Sequence, residues 1–194
     1  MKPKPKKINN IFYFPDYPDF KPNISPIDVL KSGSFGGTYF RPIYSSVTNQ
    51  NHKDKYLKCF PKSIQKSYDF KRDIKPYNQY EKLYNKYEVK CGQTLQDWEK
   101  KNWITKYDPY GWFEWYCNFF YGRRIEKEDE RQIKRWLGLA SEKGRFRNYL
   151  ITLILKKNKK YNDFKISPKI RQTLLHWGYE LTKKDFENRI RKKT

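Results

Sequence analysis

Residues 108–136 read DPYGWFEWYCNFFYGRRIEKEDERQIKRW, and this stretch decides how the chain folds. Asp108-Pro109 predicts the start of a helix, and Gly122 predicts its end. Between them the aromatic side chains recur at spacings of three and four residues, at Trp112, Trp115, Tyr116, Phe119 and Phe120. That spacing places them on one face of an α-helix. The stretch therefore predicts a short helix whose aromatic face is buried in a core.

The second half of the stretch predicts a charged helix on the outside of that core. Residues 126–130 place acids in its first turn, where they interact favourably with the helix dipole. Its apolar stripe consists of Ile133, Trp136, Leu137 and Ala140, and Lys143-Gly144 ends it.

Further helices are predicted on both sides of this pair. Thr94 and Asp97 have the spacing of a capping box, with Asp in place of the usual Glu or Gln. The next apolar stripe consists of Phe146, Tyr149, Leu150, Leu153 and Ile154. Ser167-Pro168 predicts another helix start, with Gly178 as the end, and Thr182 caps a basic terminal helix. The chain from residue 94 onward is therefore predicted to be mainly helical.

The N-terminal part gives weaker signals. Ser25-Pro26 predicts a short helix that ends near Gly33. We expect a short strand from Thr38 to Ile43. Residues 45–90 predict loops with one or two short strands or helical turns, because their aromatic spacing favours neither period.

Residues 1–24 predict an extended, basic arm, because their prolines forbid a regular helix. The arm either lies on the domain as a strap or forms a disordered tail. The aromatic residues of the strap would be Phe12, Phe14, Tyr17 and Phe20. The predicted fold is thus mainly α, with a single helical domain at residues 25–180 and a minor β or irregular N-terminal part. The basic extensions are residues 1–24 and a helix in residues 181–194.

The formal net charge of +22 favours binding to polyanions such as DNA or RNA. The alternative is compositional, since an AT-rich genome encodes many Lys, Asn and Tyr residues. Residues 91–122 are nearly neutral and hold four of the six tryptophans, at Trp98, Trp103, Trp112 and Trp115. A neutral aromatic centre between basic flanks is typical of a core with a charged exterior.

The cysteine pattern and the apolar content indicate an intracellular protein, cytoplasmic, nuclear or associated with a virion. Cys59, Cys91 and Cys117 are too widely spaced for a metal pair or a disulfide framework. No apolar run has the length of a transmembrane helix, and the basic N-terminus lacks the apolar region of a secretory signal. We expect no membrane contact, cofactor or metal.

Residues 108–136 resemble an uncharacterised family of small cytosolic proteins found in bacteria, microbial eukaryotes and large DNA viruses. The family pattern DPxGWFxWYC, GRR and RQIKRW stands here as DPYGWFEWYCNFFYGRR followed by RQIKRW. SFGGTYF at residues 34–40 and RQTLLHWGY at residues 171–179 resemble further parts of the family. The resemblance implies no catalytic role. The Lys, Asn and Tyr bias is similar to that of a large-virus member.

Catalytic signatures are weak. The glycines of GSFGGT lack the spacing of a phosphate-binding loop and predict a tight turn instead. Glu88-Val89-Lys90 and Asp73-Ile74-Lys75 match an acid-x-Lys nuclease pattern, which arises often by chance in a chain so rich in lysine. We expect His176 to cap a helix end or to be half-buried, and Cys117 to be a core residue.

The candidate nucleic-acid-binding residues are basic. Arg131, Lys134 and Arg135 share one helix face. The full set is Arg123, Arg124, Arg131, Lys134, Arg135, Arg145 and Arg147, with Lys183, Lys184, Arg189 and Arg191 on a C-terminal helix pair of helix-turn-helix type. For the arginines near residues 128–130, the alternative is an internal salt-bridge network with Glu128, Asp129 and Glu130. Tyr56, Tyr68, Tyr77 and Tyr80 could stack on single-stranded bases or pack internally.

The leading functional hypothesis is a non-enzymatic nucleic-acid-binding protein that acts in packaging or as an accessory factor. The first alternative is a structural or assembly protein that docks on a protein partner through residues 11–20. The second alternative is a metal-dependent nuclease, which would need carboxylates that converge on a cation.

Overall fold

The computed structural model describes residues 4–66 and 77–192. Helices dominate these ranges, and two small hairpins form the β part, which confirms a mainly α fold with a minor β part. The helices are α1 (Pro26–Lys31), α2 (Lys55–Cys59), α3 (Lys62–Gln65), α4 (Leu95–Lys100), α5 (Trp112–Phe120), α6 (Glu126–Ala140), α7 (Arg145–Lys156), α8 (Pro168–His176) and α9 (Lys183–Arg191). No helix in the two described ranges has both the length and the apolar character that crossing a membrane requires.

Both hairpins are antiparallel. The first pairs β1 (Lys6–Ile8) with β2 (Ile11–Tyr13), and the second pairs β3 (Ile43–Ser45) with β4 (Gln50–His52). Short 3₁₀ turns lie at Ser34–Gly37 and Lys82–Tyr84.

Several helix starts follow the predicted caps. The side chains of Ser25, Thr94 and Thr182 each accept a hydrogen bond from the backbone amide three residues later. Thr94 and Asp97 form a complete capping box, in which each side chain bonds the backbone amide of the other. The predicted starts of α1, α4 and α9 are therefore confirmed, because these caps satisfy amides that would otherwise lack a partner.

The predicted start of α5 at Asp108-Pro109 is wrong. Residues 108–111 form a turn closed by a 2.8 Å hydrogen bond from the Gly111 amide to the Asp108 carbonyl, and the helix begins at Trp112. Gly111 has a φ of 88°, and a Cβ at this position would lie 2.8 Å from Ile104 Cδ1. The Asp108 side chain accepts hydrogen bonds from residues farther along the chain instead of capping a helix.

The predicted strand from Thr38 to Ile43 is also wrong, because only Ile43 belongs to a strand. Tyr39 and Phe40 are both buried, whereas adjacent residues on a strand point to opposite faces. Tyr149 was placed in the apolar stripe of α7, but its side chain is exposed and Ile151 occupies the core instead. Tyr68 and the Asp73-Ile74-Lys75 motif lie outside the described residues.

The core is built around α5, in which every residue except Asn118 is buried. The N-terminal segment packs against this helix, as the strap prediction required. Phe14 lies 5.0 Å from Phe119 between ring centroids, and Phe20 lies 5.1 Å from Trp136. Phe14 and Phe20 are completely buried, so they belong to the core itself and not to a layer on its surface.

Hydrogen bonds also join the N-terminal segment to the C-terminal part of the chain. The amides of Asn23 and Ile24 both donate to the Gly178 carbonyl at 3.0 Å. The Asn23 side chain donates to the Glu180 carbonyl at 2.7 Å and accepts from the Glu180 amide at 2.8 Å. Residues 23–24 and 178–180 are therefore parts of one packed unit.

Glu114 is a buried acid in the middle of this core. Its Oε2 accepts a hydrogen bond from the Tyr110 amide at 2.9 Å, and Lys55 Nζ lies 3.7 Å from its Oε1. Burial raises the pKa of Glu114 to about 7, and the negative charge of Asp108 adds to that rise.

We expect Phe20→Ala to lower the free energy of unfolding by about 3–5 kcal/mol, because the lost ring leaves a cavity among other aromatic side chains. Asp19→Ala, at the exposed neighbouring position, should change it by less than about 0.5 kcal/mol. Urea unfolding followed by tryptophan fluorescence measures both changes. Equal effects of the two substitutions would contradict the packing of this segment in the core.

The raised pKa of Glu114 predicts a pH-dependent stability. The folded state holds this proton more tightly than the unfolded state, so stability is full below the ordinary value of 4.5 and falls as the pH rises through about 7. Relative to Glu114→Gln, which does not titrate, the wild type should lose up to about 3 kcal/mol across this range. Urea unfolding at several pH values measures the difference, and a constant difference would contradict the raised pKa.

Candidate nucleic-acid interface

Arg123, the first of the predicted phosphate-binding arginines, is bound by a buried carboxylate. Its Nη1 and Nη2 donate to the two carboxylate oxygens of Asp108 at 2.7 and 2.5 Å. Asn118 Nδ2 donates to the same carboxylate at 3.0 Å. Burial alone would lower the pKa of Arg123, but the hydrogen bonds and charge of Asp108 outweigh it and raise that pKa. Burial raises the pKa of Asp108, and the hydrogen bonds and charge of Arg123 oppose that rise, so the ion pair favours the charged form of both groups.

Arg124 fastens the N-terminal segment. Its Nε donates to Asp16 Oδ2 at 2.6 Å, and its Nη1 donates to the Phe119 carbonyl at 2.7 Å. The guanidinium lies 3.8 Å from the centroid of the Phe119 ring, which is a close cation–π contact. The Arg124 guanidinium therefore forms an ion pair with Asp16 and packs against the Phe119 ring.

Other predicted cations also have carboxylate partners. Arg131 donates to both oxygens of Glu128, at 2.9 and 2.7 Å. Arg147 lies 2.8 Å from Asp185, and Lys183 lies 3.7 Å from Glu187. The predicted alternative of a salt-bridge network with Glu128, Asp129 and Glu130 is confirmed only at Arg131, which pairs with Glu128. Arg123, Arg124 and Arg147 are also paired internally, but with Asp108, Asp16 and Asp185.

Lys134, Arg135 and Arg145 differ from this group, because no carboxylate in residues 4–66 or 77–192 pairs with them. All three line one cavity of about 480 Å³. The walls come from α4, α5, α6, α7 and α8 together with the 3₁₀ turn at Ser34–Gly37, and they are mainly aromatic: Phe35, Trp98, Trp103, Trp112, Phe146 and Trp177. A volume of this size is typical of sites that take a small molecule or one group of a larger ligand.

Arg135 is the most deeply placed of the three cations. Its Nη1 donates to Gln132 Oε1 at 2.8 Å, and its guanidinium lies 5.1 Å from the Trp103 ring and 5.3 Å from the Trp177 ring. Burial lowers the pKa of Arg135 to about 10, and the charge of Arg131 lowers it further. The side chain remains charged at neutral pH, and a ligand anion at this place would offset the cost of its burial.

Lys134 and Arg145 are exposed at the mouth of the cavity. The Arg145 guanidinium lies 5.4 Å from the ring of Phe146, which holds it beside the opening. Exposed cations next to a buried one give the mouth a positive potential, because no carboxylate among the described residues pairs with any of them.

Gly138 keeps part of the cavity open. It lies on α6, lines the cavity, and has no heavy atom within 4 Å of the position that a Cβ would occupy. Glycine inside a helix is less stable than alanine by about 1 kcal/mol. Gly138 is exposed, so packing does not require a glycine here, and a side chain at this position would lie at the open edge of the cavity.

His176 and Cys91 line the same cavity but do not form a catalytic pair. His176 Nε2 accepts hydrogen bonds from the Phe35 amide at 3.2 Å and from Gln172 at 2.9 Å, so its proton sits on Nδ1, 3.5 Å from Cys91 Sγ. Burial lowers the pKa of His176 to about 3 and raises the pKa of Cys91 to about 11. The imidazole is neutral and buried, so the expectation that His176 caps a helix end or is half-buried is wrong, and the thiol is not activated.

A second cavity of about 570 Å³ adjoins the first, and the two share lining residues that include Phe35, Cys91 and Trp98. Lys90 and Arg41 line its outer part. Neither has a carboxylate partner within the described ranges. The two cavities are therefore neighbours, and cations line both of them, with Asp97 also in the lining of the second.

The predicted basic residues of the C-terminal helix α9 do not line the cavity. Lys184 and Arg191 are exposed on α9, and Arg189 is half-buried there. Phe186 on the same helix packs against the core, and Tyr179 Oη donates to Asp185 at 2.8 Å. These contacts bind α9 to its own domain by the face that carries Phe186.

The tyrosines proposed for stacking on bases differ in burial and in their contacts. Tyr56 packs against the core, and Lys90 Nζ lies 5.1 Å from the ring of Tyr80. Tyr77 is half-exposed, and its ring lies 5.1 Å from that of Tyr84.

No group of three or more metal-binding side chains occurs in residues 4–66 or 77–192. Glu88, from the acid-x-Lys pattern, has an exposed side chain and a backbone φ of 53°. The described part of the chain therefore holds no carboxylate cluster on which a nuclease mechanism could be built.

The cavity itself was not predicted from the sequence, although Lys134, Arg135 and Arg145 were. Trp103, Gly138 and Trp177 were missed as site residues. Trp177 entered the sequence analysis only as part of RQTLLHWGY at residues 171–179, and Gly138 gave no signal. The helical spacing of Lys134 and Gly138, four residues apart, places them on one face and is the only local hint.

Comparisons of the chain with protein-family models, with curated proteins and with solved structures find no match. The resemblance of residues 108–136 to a family with members in large viruses therefore stays a prediction.

We expect Arg123→Ala to lower the free energy of unfolding by about 3–5 kcal/mol, because it leaves the Asp108 carboxylate buried without a counter-charge. Arg145→Ala removes the same charge from an exposed site and should change stability by less than about 0.5 kcal/mol. Thermal and urea unfolding of both variants give the comparison. If Arg123→Ala unfolded at the wild-type urea concentration, Arg123 would have no structural role.

Proposed function

We propose that this protein is a non-enzymatic nucleic-acid-binding protein that contacts phosphates through Lys134, Arg135 and Arg145. The observation that carries the proposal is the convergence of these three cations, without carboxylate partners in the described ranges, on one aromatic-lined cavity. An aromatic groove edged by positive charge is typical of proteins that bind single strands.

The net charge supports the same conclusion. An ion pair cancels one charge of each sign, so the internal pairs leave the formal net charge of +22 unchanged. The surplus lies on cations without carboxylate partners, and these attract a polyanion at a range set by the salt concentration. Phosphate contact by such cations gives affinity without requiring a sequence preference.

The two alternatives have less support. Phe12, Phe14 and Phe20 are buried in the core, so the aromatic rings on which a docking arm would depend are occupied within the chain. The nuclease alternative lacks a carboxylate cluster within residues 4–66 and 77–192. The proposal includes an intracellular location, where nucleic acid is available as a ligand, and a role in packaging or as an accessory factor.

Binding to a labelled single strand and to a duplex, measured by fluorescence anisotropy across a salt series, tests this function. The double variant Lys134→Ala, Arg145→Ala should bind more weakly and reduce the slope of log affinity against log salt by about two, since each lost phosphate contact removes about one.

The matched control is Lys62→Ala, Lys66→Ala, which removes the same formal charge at exposed positions on and just after α3, away from the cavity. We expect this control to bind nearly as the wild type does. Equal weakening by both double variants would show that charge acts diffusely and would contradict a localised interface. Absence of wild-type binding near physiological salt would contradict the function itself.

A further inference from the structure

We propose that the cavity of about 480 Å³ bounded by Gly138, Trp103 and Trp177 is a pocket for a single unpaired nucleobase, whose attached phosphate lies on Lys134 and Arg145. The proposal rests on the proposed function and specifies how it is carried out. It assigns the ligand as a base with its phosphate, either within a single strand or as a free nucleotide.

The shape of the site favours one base over a stretch of duplex. The cavity is concave and formed by side chains from helices that surround it, whereas a duplex presents a convex surface with its bases stacked inside. A base can enter such a cavity only when it is already unpaired or has been taken out of the stack. Single-stranded recognition commonly depends on bases that are splayed out in this way.

The distribution of charge matches a ligand that has a neutral flat part and an anionic part. Aromatic side chains form the inner walls, and the exposed cations Lys134 and Arg145 lie at the mouth. Arg135 lies between the two regions. Its planar guanidinium can contact a base by its face or a phosphate by its N–H groups.

The cavity lining also offers polar groups to the edge of a base, with Gln93 on its exposed side. Gln93 lines the cavity, and its Oε1 accepts from Lys101 Nζ at 2.7 Å, which leaves its side-chain amide as a donor. Thr173 also lines the cavity; its hydroxyl donates to the Lys169 carbonyl at 2.8 Å, and its oxygen, which also contacts the Cys91 thiol, can accept from a ligand. One donor and one acceptor among aromatic walls are the few placed polar groups that small-ligand sites typically have.

Gly138 supplies the decisive test, because a side chain at this position enters open space and not the packed core. Gly138→Phe adds a large ring at the exposed edge of the cavity, where it should obstruct entry, and it changes no charge. Gly138→Ala is the matched control, since it also replaces a helical glycine by a better helix former but occupies little of the volume. Both variants should unfold at or above the wild-type temperature, which separates loss of the cavity from loss of the fold.

The probes are a fluorescein-labelled single strand of about 12 nucleotides, the same strand with every base replaced by an abasic sugar, and free adenosine monophosphate. Gly138→Phe should weaken binding of the complete strand by about tenfold or more, which is the effect of losing one base contact. Binding of the abasic strand should be unchanged, and Gly138→Ala should bind both strands as the wild type does.

Adenosine monophosphate gives an independent measurement on the same cavity. It should change the fluorescence of the wild-type tryptophans in a saturable way, because Trp103, Trp112 and Trp177 line the site, and Gly138→Phe should abolish that change. If only the strand shows the Gly138→Phe effect, the base comes from a polymer. If only the nucleotide shows it, the base comes from a free nucleotide.

The failure of this proposal differs from the failure of the proposed function. If the wild type binds both strands equally, and Gly138→Phe changes neither strand binding nor the response to adenosine monophosphate, phosphate binding stands and the base pocket is overturned. If the wild type binds neither strand, the nucleic-acid function is overturned, and the nucleotide titration alone decides whether the cavity holds a base. No effect of adenosine monophosphate together with no strand binding overturns both.

Discussion

The bidentate bond between Asp108 and Arg123 is the interaction on which the rest of the fold depends. An isolated buried carboxylate costs several kcal/mol, so the turn before α5 and the turn after it have to meet. Asp108 is joined to the helix by Asn118 as well. Residues next to this pair in the sequence bind other parts of the chain. Tyr110 Oη donates to the Arg41 carbonyl beside β3 at 2.7 Å, and Arg124 binds Asp16 in the N-terminal segment. One buried charge pair thus fixes the turns from which both the β3–β4 hairpin and the N-terminal segment are held.

Local patterns predicted most of the helices, because caps and apolar stripes act over three or four residues. The capping box of Thr94 and Asp97 and the stop at Gly178 are of this kind. The role of an arginine is not local. Arg124 pairs with a carboxylate 108 positions away, and nothing in RRIEKEDERQIKRW indicates that partner. The same limit explains the late start of α5, since Asp108 would be a suitable cap if Arg123 did not bind it.

The candidate site was beyond sequence reasoning for a related reason. Its walls come from residues 35 to 177, and each wall residue taken alone has the pattern of an ordinary core position. The site is distinguished by an arginine that has no carboxylate partner in the described ranges. Arg135 lies beside tryptophan rings and binds the Gln132 side-chain amide, whereas Arg131, one turn earlier, binds the Glu128 carboxylate. A count of charges treats Arg131 and Arg135 as equivalent. Only Arg135 has a positive charge that no carboxylate in the described ranges neutralises, so only Arg135 can offer that charge to a ligand.

The bonds between residues 23–24 and 178–180 have a consequence for how the chain is made. A ribosome releases the N-terminal segment first, yet Asn23 cannot form its bonds to Glu180 until nearly the whole chain has emerged. During synthesis the apolar surfaces of Phe14 and Phe20 therefore stay unburied until their partners, which include Trp136, have been made. Contacts across so long a separation also slow folding, because the loop between them must be closed before any contact offsets its entropy. Completion of the core thus has to await the synthesis of Glu180, and nascent chains that lack it are suitable substrates for chaperones that bind exposed aromatic segments.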